Sequence, residues 1–333
     1  MALWSMITDG RERHEVVEEE EIEEQKPQWN LSAKSVGIDL GYGFVKILQD
    51  DHEVKFPSVV GLGSQLKFQS GLNPLAKPID HMSISVDDKT YFVGNLAVKQ
   101  SEIASRSLDQ DRVGDLNTKI LLLTSLGIVS QWDEQTFNLI TGLPTNCFGG
   151  YKDEWDKNLK GSYRVSLRQG DKVQHKNFKI ANVKIIPQPF GTLYNQMLNE
   201  YGAVADSELS EKNVAVVDIG FKTTDFVVAD SMEYVERLSS CTTTALSSAY
   251  RMIANRLRDE FKVDKENFEL DQIVEKGELR LAGRKLDINQ MKQEAFEQVA
   301  LKIITEIESL WDYRDFDAIF LTGGGGQALS NYL

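Results

Sequence analysis

The sequence predicts an α/β protein of two similar domains that share one cleft. An Asp-bearing β-hairpin occurs twice along the chain, and a buried strand near the C-terminus runs into four consecutive glycines. At 333 residues the chain is long enough to bury a large core, and its length favours two domains over one.

The chain is organised around Asn213 to Val228, NVAVVDIGFKTTDFVV. Val214 to Val217 form an apolar, β-favouring run that ends on Asp218. Ile219 and Gly220 follow, then Lys222, Thr223, Thr224 and Asp225, then a second apolar run from Phe226. Two such runs around a short Gly-containing segment read as a hairpin. A strand that delivers a carboxylate to its own turn, beside a glycine and two hydroxyls, makes a binding edge. Glycine permits close backbone approach, and bared N–H groups with Thr hydroxyls hold phosphate oxygens. Taken alone, the stretch reads equally as an ordinary turn. Its recurrence shifts the balance. Ser35 to Leu48, SVGIDLGYGFVKIL, has the same build, and superimposing Asp39 on Asp218 puts Gly41 on Gly220. Such a repeat implies two related domains, each presenting its hairpin to a shared cleft.

Composition is that of a soluble globular protein, 41% hydrophobic and 26% charged. The net charge of −14 and a pI near 4.9 argue against a surface for phosphate backbones. No direct nucleic-acid contact is expected, which leaves open only handling of DNA through an adaptor protein. Cys147 and Cys241 fall in no C-x-x-C pattern and, without a secretory signal, read as reduced thiols of a cytoplasmic protein. No apolar run approaches the ~20 residues of a membrane span.

In order along the chain, residues 1–33 form an acidic tail. Glu18 to Glu24 is a glutamate block broken only by Ile22, a composition typical of disorder. The first domain, 34–190, opens on the first hairpin, with a third strand in Glu53 to Val60. Ile84 to Val93 reads as a hairpin about Asp87-Asp88, Asn95 to Leu108 as mixed and polar, and Thr118 to Val129 as a buried helix. Phe137 to Leu143 reads as a buried strand stopped by Pro144, Tyr151 to Gly161 as a charged helix, and Tyr163 to Ile186 as further strands around Gly170-Asp171. The second domain, 191–333, follows a helix that starts near Phe190. After the second hairpin, Leu246, Tyr250, Ile253, Leu257 and Phe261 keep the three-and-four spacing of a helix. A smaller inserted subdomain spans about 262–290, with the hairpin-like GELRLAGRKLDI. A long amphipathic helix then carries Met291, Phe296, Val299, Ile303, Ile307 and Leu310 on one stripe.

Ala318 to Leu321 is a short strand that runs into Thr322 and Gly323 to Gly326. It brings bare backbone to a flat or anionic group, and Gln327-Ala328-Leu329 is placed to begin a helix facing it. Linkers, the other home of glycine runs, are not preceded by a buried strand such as AIFLT.

These three signals, in this order, resemble a known superfamily. Asp39-x-Gly41-x-Gly43-x-x-Lys46, Asp218-x-Gly220 with Thr223-Thr224-Asp225, and Leu321-Thr322-Gly323-Gly324-Gly325 look like its phosphate-1, phosphate-2 and adenosine motifs. The superfamily is that of actin, sugar kinases and heat-shock ATPase chaperones. Its fold is a two-domain, duplicated ribonuclease H-like α/β fold with nucleotide in the interdomain cleft. The resemblance covers Ser35 to the C-terminus. Gly142 to Pro144, Pro187 to Gly191 and the compact size look most like the bacterial and archaeal plasmid-segregation actins of ParM type.

The resemblance implies an ATPase that takes ATP and Mg²⁺. Asp39 and Asp218 would hold Mg²⁺ through water, since Mg²⁺ keeps several waters in its octahedral shell. Lys46 would neutralise β/γ-phosphate charge. Backbone at Gly41, Tyr42 and Gly43 and at Gly220, Phe221 and Lys222, with Thr223 and Thr224, would cradle the phosphates. Gln188 would orient the attacking water, a role a side-chain amide fills without being a strong base. Gly323, Gly324 and Gly325 would lie against the adenosine. Glu275 and Lys276 stand as ribose or base contacts by position only, and read better as a solvated helix face. Relatives continue past the adenosine motif with a further helix. The chain ends at Leu333, so a C-terminal closing segment is expected to be absent.

Other chemistries fit poorly. His14, His52, His81 and His175 are scattered, no G-x-x-x-x-G-K-[ST] loop is present, and Gly41-x-Gly43 lacks the third glycine of a dinucleotide fingerprint. The leading expectation is an ATPase that polymerises with copies of itself into nucleotide-dependent filaments for plasmid or DNA segregation. The alternative is a non-polymerising member, either an ATP-binding assembly scaffold or a small-molecule kinase with Asp225 as its base.

Overall fold

The structure, a computed structural model, describes residues 30, 32–64, 77–106, 114–199 and 202–333. The acidic tail expected at 1–33 falls almost entirely outside them.

The first sheet begins where apolar residues alternate. β1 (Lys34–Leu40) buries Val36, Ile38 and Leu40, as a period of two requires. It returns antiparallel through β2 (Phe44–Gln49) and β3 (His52–Pro57). β4 (Val60–Leu62), β5 (Met82–Val86), β6 (Lys89–Val93), α1 (Asn95–Gln100) and β7 (Ala104–Ser105) form the outer part of this half. A short helix thus occupies part of the stretch read as mixed and polar. α2 (Leu116–Val129) starts at Asp115, whose carboxylate accepts the N–H groups of Asn117 and Thr118. It is apolar nearly all round because it is nearly all buried. β8 (Glu134–Leu143), α3 (Thr145–Leu159), β9 (Gly161–Gln169) and β10 (Lys172–Pro187) complete the half.

The sheet order is β3-β2-β1-β8-β10-β9-β5-β6-β4-β7. β8 lies parallel to both β1 and β10. The C-terminal ends of these three strands, carrying Asp39, Gly142 and Pro187, therefore meet at one edge, where ligands of open α/β sheets bind.

After α4 (Gln188–Met197) and α5 (Ser207–Ser210), β11 (Asn213–Ile219) and β12 (Thr224–Asp230) form the second hairpin. β13 (Glu233–Tyr234), β14 (Ser240–Thr242), α6 (Leu246–Phe261), α7 (Leu270–Lys276), β15 (Glu278–Leu281), β16 (Arg284–Asp287), α8 (Asn289–Leu310), β17 (Ala318–Thr322) and α9 (Gly323–Leu329) follow. β11 is buried on both faces. Val214 and Val216 pack with Phe190, Leu193 and Met197 of α4. Ala215, Val217 and Ile219 pack with Ile253 and Leu257 of α6 and with Phe296 and Ile303 of α8.

The duplication holds in three dimensions. β11 pairs antiparallel with β12 and parallel with β17, as β1 does with β2 and β8. Only the third strand differs, being divided into β13 and β14, both on β12. Helix starts are earlier than the apolar patterns indicate. α3 begins at Thr145 behind Pro144, and α4 at Gln188 behind Pro187, because proline is tolerated at a helix start where its missing N–H is not needed. α9 begins at Gly323 instead of Gln327, so the glycines form its first turn. No helix among the described residues is long and apolar enough to cross a membrane.

Candidate functional site

A cleft of about 1200 Å³ lies between the two sheets. Its floor is made by the two hairpin turns in direct contact. A Cβ added at Gly43 would stand 3.0 Å from the Phe221 Cβ, and one at Gly41 would stand 2.6 Å from the Phe44 carbonyl. The Lys222 ammonium sits 4.9 Å over the Tyr42 ring, joining the tips again. Ser58 fixes the first turn: its hydroxyl donates to the Gly41 carbonyl at 2.6 Å and its N–H to the Gly43 carbonyl at 2.9 Å. The glycine run closes on the second hairpin. Gly323, at φ +85°, leaves no room for a Cβ against the Ile219 carbonyl, and Gly325 sits as tightly on Gly220. Gly324 meets nothing and stays open to the cleft.

Charge gathers on this floor. Asp39 faces Lys46 across the first hairpin, with Nζ donating to Oδ2 at 3.2 Å; the two side chains are 38% and 44% exposed, open to a ligand. Gln188 Nε2 donates to the other Asp39 oxygen at 3.1 Å. Gly142 makes room for Gln188, since a Cβ there would lie 2.7 Å from its Cγ. Asp218 is half-buried, and burial, then the charges of Asp225 and Asp39, push its carboxyl up to about 7, with Lys46 opposing. For Lys46, burial works against the charged form, but Asp39 and Asp218 outweigh it and the ammonium is raised.

Asp225 does not fit a kinase base. It is buried, one oxygen accepts the Thr145 N–H at 2.7 Å and the other the Thr223 hydroxyl at 3.3 Å. It ties the second hairpin to the start of α3 in the other half.

Most of the expected residues line the cleft: Asp39, Gly41, Tyr42, Gly43, Lys46, Gln188, Asp218, Gly220, Phe221, Thr223, Glu275, Gly323, Gly324 and Gly325. Three stand elsewhere. Thr224 is fully buried with its hydroxyl donating to the Thr244 carbonyl at 2.7 Å, Lys222 reaches Tyr42, and Lys276 closes α7 outside the cleft. Phe221 contributes its side chain to packing, edge-on to Tyr250 at 5.2 Å. Several wall residues carried no sequence signal. Thr192 meets Thr322, hydroxyl to hydroxyl, at 3.1 Å, and Lys292 stands 5.6 Å over Phe296 beside Tyr332. Lys292 adjoins the apolar stripe of α8, and nothing in its spacing marks it.

Residues 37–191 match the family described as actin like proteins, N-terminal domain, and residues 216–333 match the archaeal actin homologue MreB-like C-terminal family. The chain belongs to the actin-like ATPase superfamily. Its two-domain α/β architecture is the actin-like fold. A 15-stranded ParM filament from Clostridium botulinum is 25% identical, with 91% of this chain and 92% of that one covered and a TM-score of 0.77. A pCBH ParM non-polymerisable quadruple mutant is 25% identical, with 90% and 91% covered and a TM-score of 0.74. An archaeal actin homologue in complex with ADP shares the fold at 18% identity, 90% and 89% coverage and a TM-score of 0.70. Comparison with curated protein sequences gives no match.

Two outcomes follow for this actin-like cleft. A carboxyl raised in the fold stabilises it most when protonated, so the nucleotide-free protein should lose stability as pH rises from its unfolded value through about 7. Asp218→Asn should melt above wild type at about pH 8, with the gap closing toward about pH 5, as read by thermal denaturation. Gly142→Ala should push the Gln188 side chain from its seat beside Asp39 and cost about 1–3 kcal/mol of stability, read by chemical denaturation.

Proposed function

We propose that the protein is an actin-like ATPase that binds Mg-ATP between its two halves, divided near residue 190. It assembles with copies of itself into nucleotide-dependent filaments. The observation that carries this reading is the convergence of Asp39, Lys46, Gln188 and Asp218 on one cleft floor walled by glycine backbone. A triphosphate brings negative charge to that floor. Lys46 meets it with an ammonium, and the glycine-bearing turns bring backbone close to it on either side.

The donor set fits Mg²⁺. Among the described residues no group of three or more His, Cys, Asp or Glu could encase a metal ion directly. The Asp39 charge adds to the stress on Asp218, and a hydrated cation shared with the phosphates would relieve it. Mg²⁺ retains several waters and suits such outer-sphere holding. When bound, it would supply charge neutralisation on the β- and γ-phosphates. Gln188, held by Asp39 and seated against Gly142, presents an amide that orients water without abstracting its proton outright.

Self-assembly is supported by likeness to a protein solved as a ParM filament. Plasmid or DNA positioning follows from the resemblance of this chain's motifs to plasmid-segregation actins. The acidic balance of the chain supports DNA contact made through an adaptor protein, in a cytoplasmic setting, over direct contact.

Gln188→Ala should slow phosphate release at least ~10-fold with little change in ATP affinity, because water positioning acts in the transition state and not in the ground state. An equal loss of affinity and turnover would remove Gln188 from that role. Sedimentation with negative-stain microscopy should give filaments with Mg²⁺ and ATP and none without nucleotide. A monomer in both conditions that nonetheless holds ATP would make the protein a non-polymerising member of the superfamily, a kinase or a scaffold.

A further inference from the structure

The two halves meet a second time, away from the hairpins. Arg106, just after β7, reaches Asp271 in the first turn of α7 as a two-pronged ion pair. Nη1 donates to Oδ1 at 3.3 Å and Nη2 to Oδ2. The side chains are 2% and 14% exposed, whereas in every other ion pair among the described residues both partners are at least 30% exposed.

The Arg106 guanidinium also stacks 4.7 Å over Phe221, the residue that follows Gly220 at the tip of the second hairpin. Phe221 in turn packs on Gly43. Asp271 itself lines the cleft. Beside the pair, Phe268 from the second half packs on Val59, Phe92, Leu96 and Ala97 of the first. One buried arginine thus touches the outer wall of the cleft and the hairpin that forms its floor.

We propose that Arg106 and Asp271 form a clasp that holds the outer lobes shut over the cleft and, through Phe221, seats the second hairpin. The clasp thereby sets how long a nucleoside triphosphate stays bound. The second part rests on the cleft being a nucleotide site; the first does not. Parting the lobes hydrates both charges, so the pair exists only in the closed form. Removing one partner leaves the other charged and buried there, which tilts the molecule toward the open form. A ligand leaves from the open form, so its dissociation follows that population. An exposed ion pair would have little such leverage. Arginine suits the position because one flat group makes the fork with the carboxylate and stacks on the ring; lysine keeps only the charge. Arg106 acts through its neighbours, as a positioning residue.

The clasp is tested on the whole chain without nucleotide. Spin labels at Lys89→Cys and Arg284→Cys, exposed on opposite outer lobes, are measured with Cys147 and Cys241 replaced by serine. The parent should show one short separation, and Arg106→Ala and Asp271→Ala should each lengthen and broaden it. The charge-swapped pair Arg106→Asp/Asp271→Arg should lie closer to the parent than either single variant, which a merely local folding defect would not produce. In parallel, a fluorescent ATP analogue should dissociate at least ~10-fold faster from each single variant, with partial recovery in the swap. Unchanged separations in both single variants would overturn the clasp. Altered separations with unaltered dissociation would overturn its control of dwell time. A parent that binds no ATP analogue while its separations respond would overturn the nucleotide reading and leave the clasp standing.

Discussion

The cleft exists because several chain segments approach one another more closely than any side chain permits. Gly43 rests on Phe221, Gly323 and Gly325 rest on the Ile219–Gly220 backbone, and Gly142 rests on Gln188. Each contact joins elements far apart in sequence. At Gly323 and Gly325 the neighbour is mostly backbone, which cannot swing aside as a long side chain would. The hairpin tips and the glycine turn thereby form one continuous backbone surface, and the carboxylates at the strand ends are held where that surface points.

The duplicated hairpins share a geometry and divide the electrostatics. The cross-strand partner of Asp39 is Lys46, while the equivalent partner of Asp218 is Asp225. One carboxylate has a cation beside it and the other has an anion. Asp225 is then turned to a different use, because its oxygens accept the Thr145 N–H and the Thr223 hydroxyl. Asp218 remains the strained member, desolvated and pressed by like charges from both sides. Such stress at a site is relieved by the ligand that the site is shaped to hold.

What the sequence displayed was periodic or local. Alternation in Val36, Ile38 and Leu40 and in Val214 to Val217 marked both organising strands. The repeated Asp-x-Gly marked both turns, and three-and-four spacing marked α6 and α8. Proline and glycine boundaries were harder to place: α3, α4 and α9 all start earlier than the apolar pattern does. Thr224 looked like a second phosphate hydroxyl beside Thr223, but it opens β12 fully buried, with its hydroxyl committed to the Thr244 carbonyl. Thr192 and Lys292 escaped because tertiary folding alone brings them to the cleft, and Ser58 because it acts from behind the first turn. Arg106 and Asp271 are 165 residues apart, and no spacing rule joins them. The site was legible where its chemistry belongs to one segment, and hidden where two distant segments supply it.

The hydrogen bond from the Thr145 N–H to Asp225 ties the two halves together at the inner end of the cleft. It lies beside the turn from β8 into α3, immediately after Gly142 and hence next to the seat of Gln188. Relative rotation of the two halves about this point moves the inner residues least and the rims most, as with the jaws of a pair of pliers. Gln188 and Asp39 lie close to that tie, while Phe268 and Asp271 lie far from it, at the outer lobes. A given rotation about the tie would therefore displace the rim far more than the floor, so a molecule bound at the rim would meet a different surface in each state while the floor stays nearly as it is.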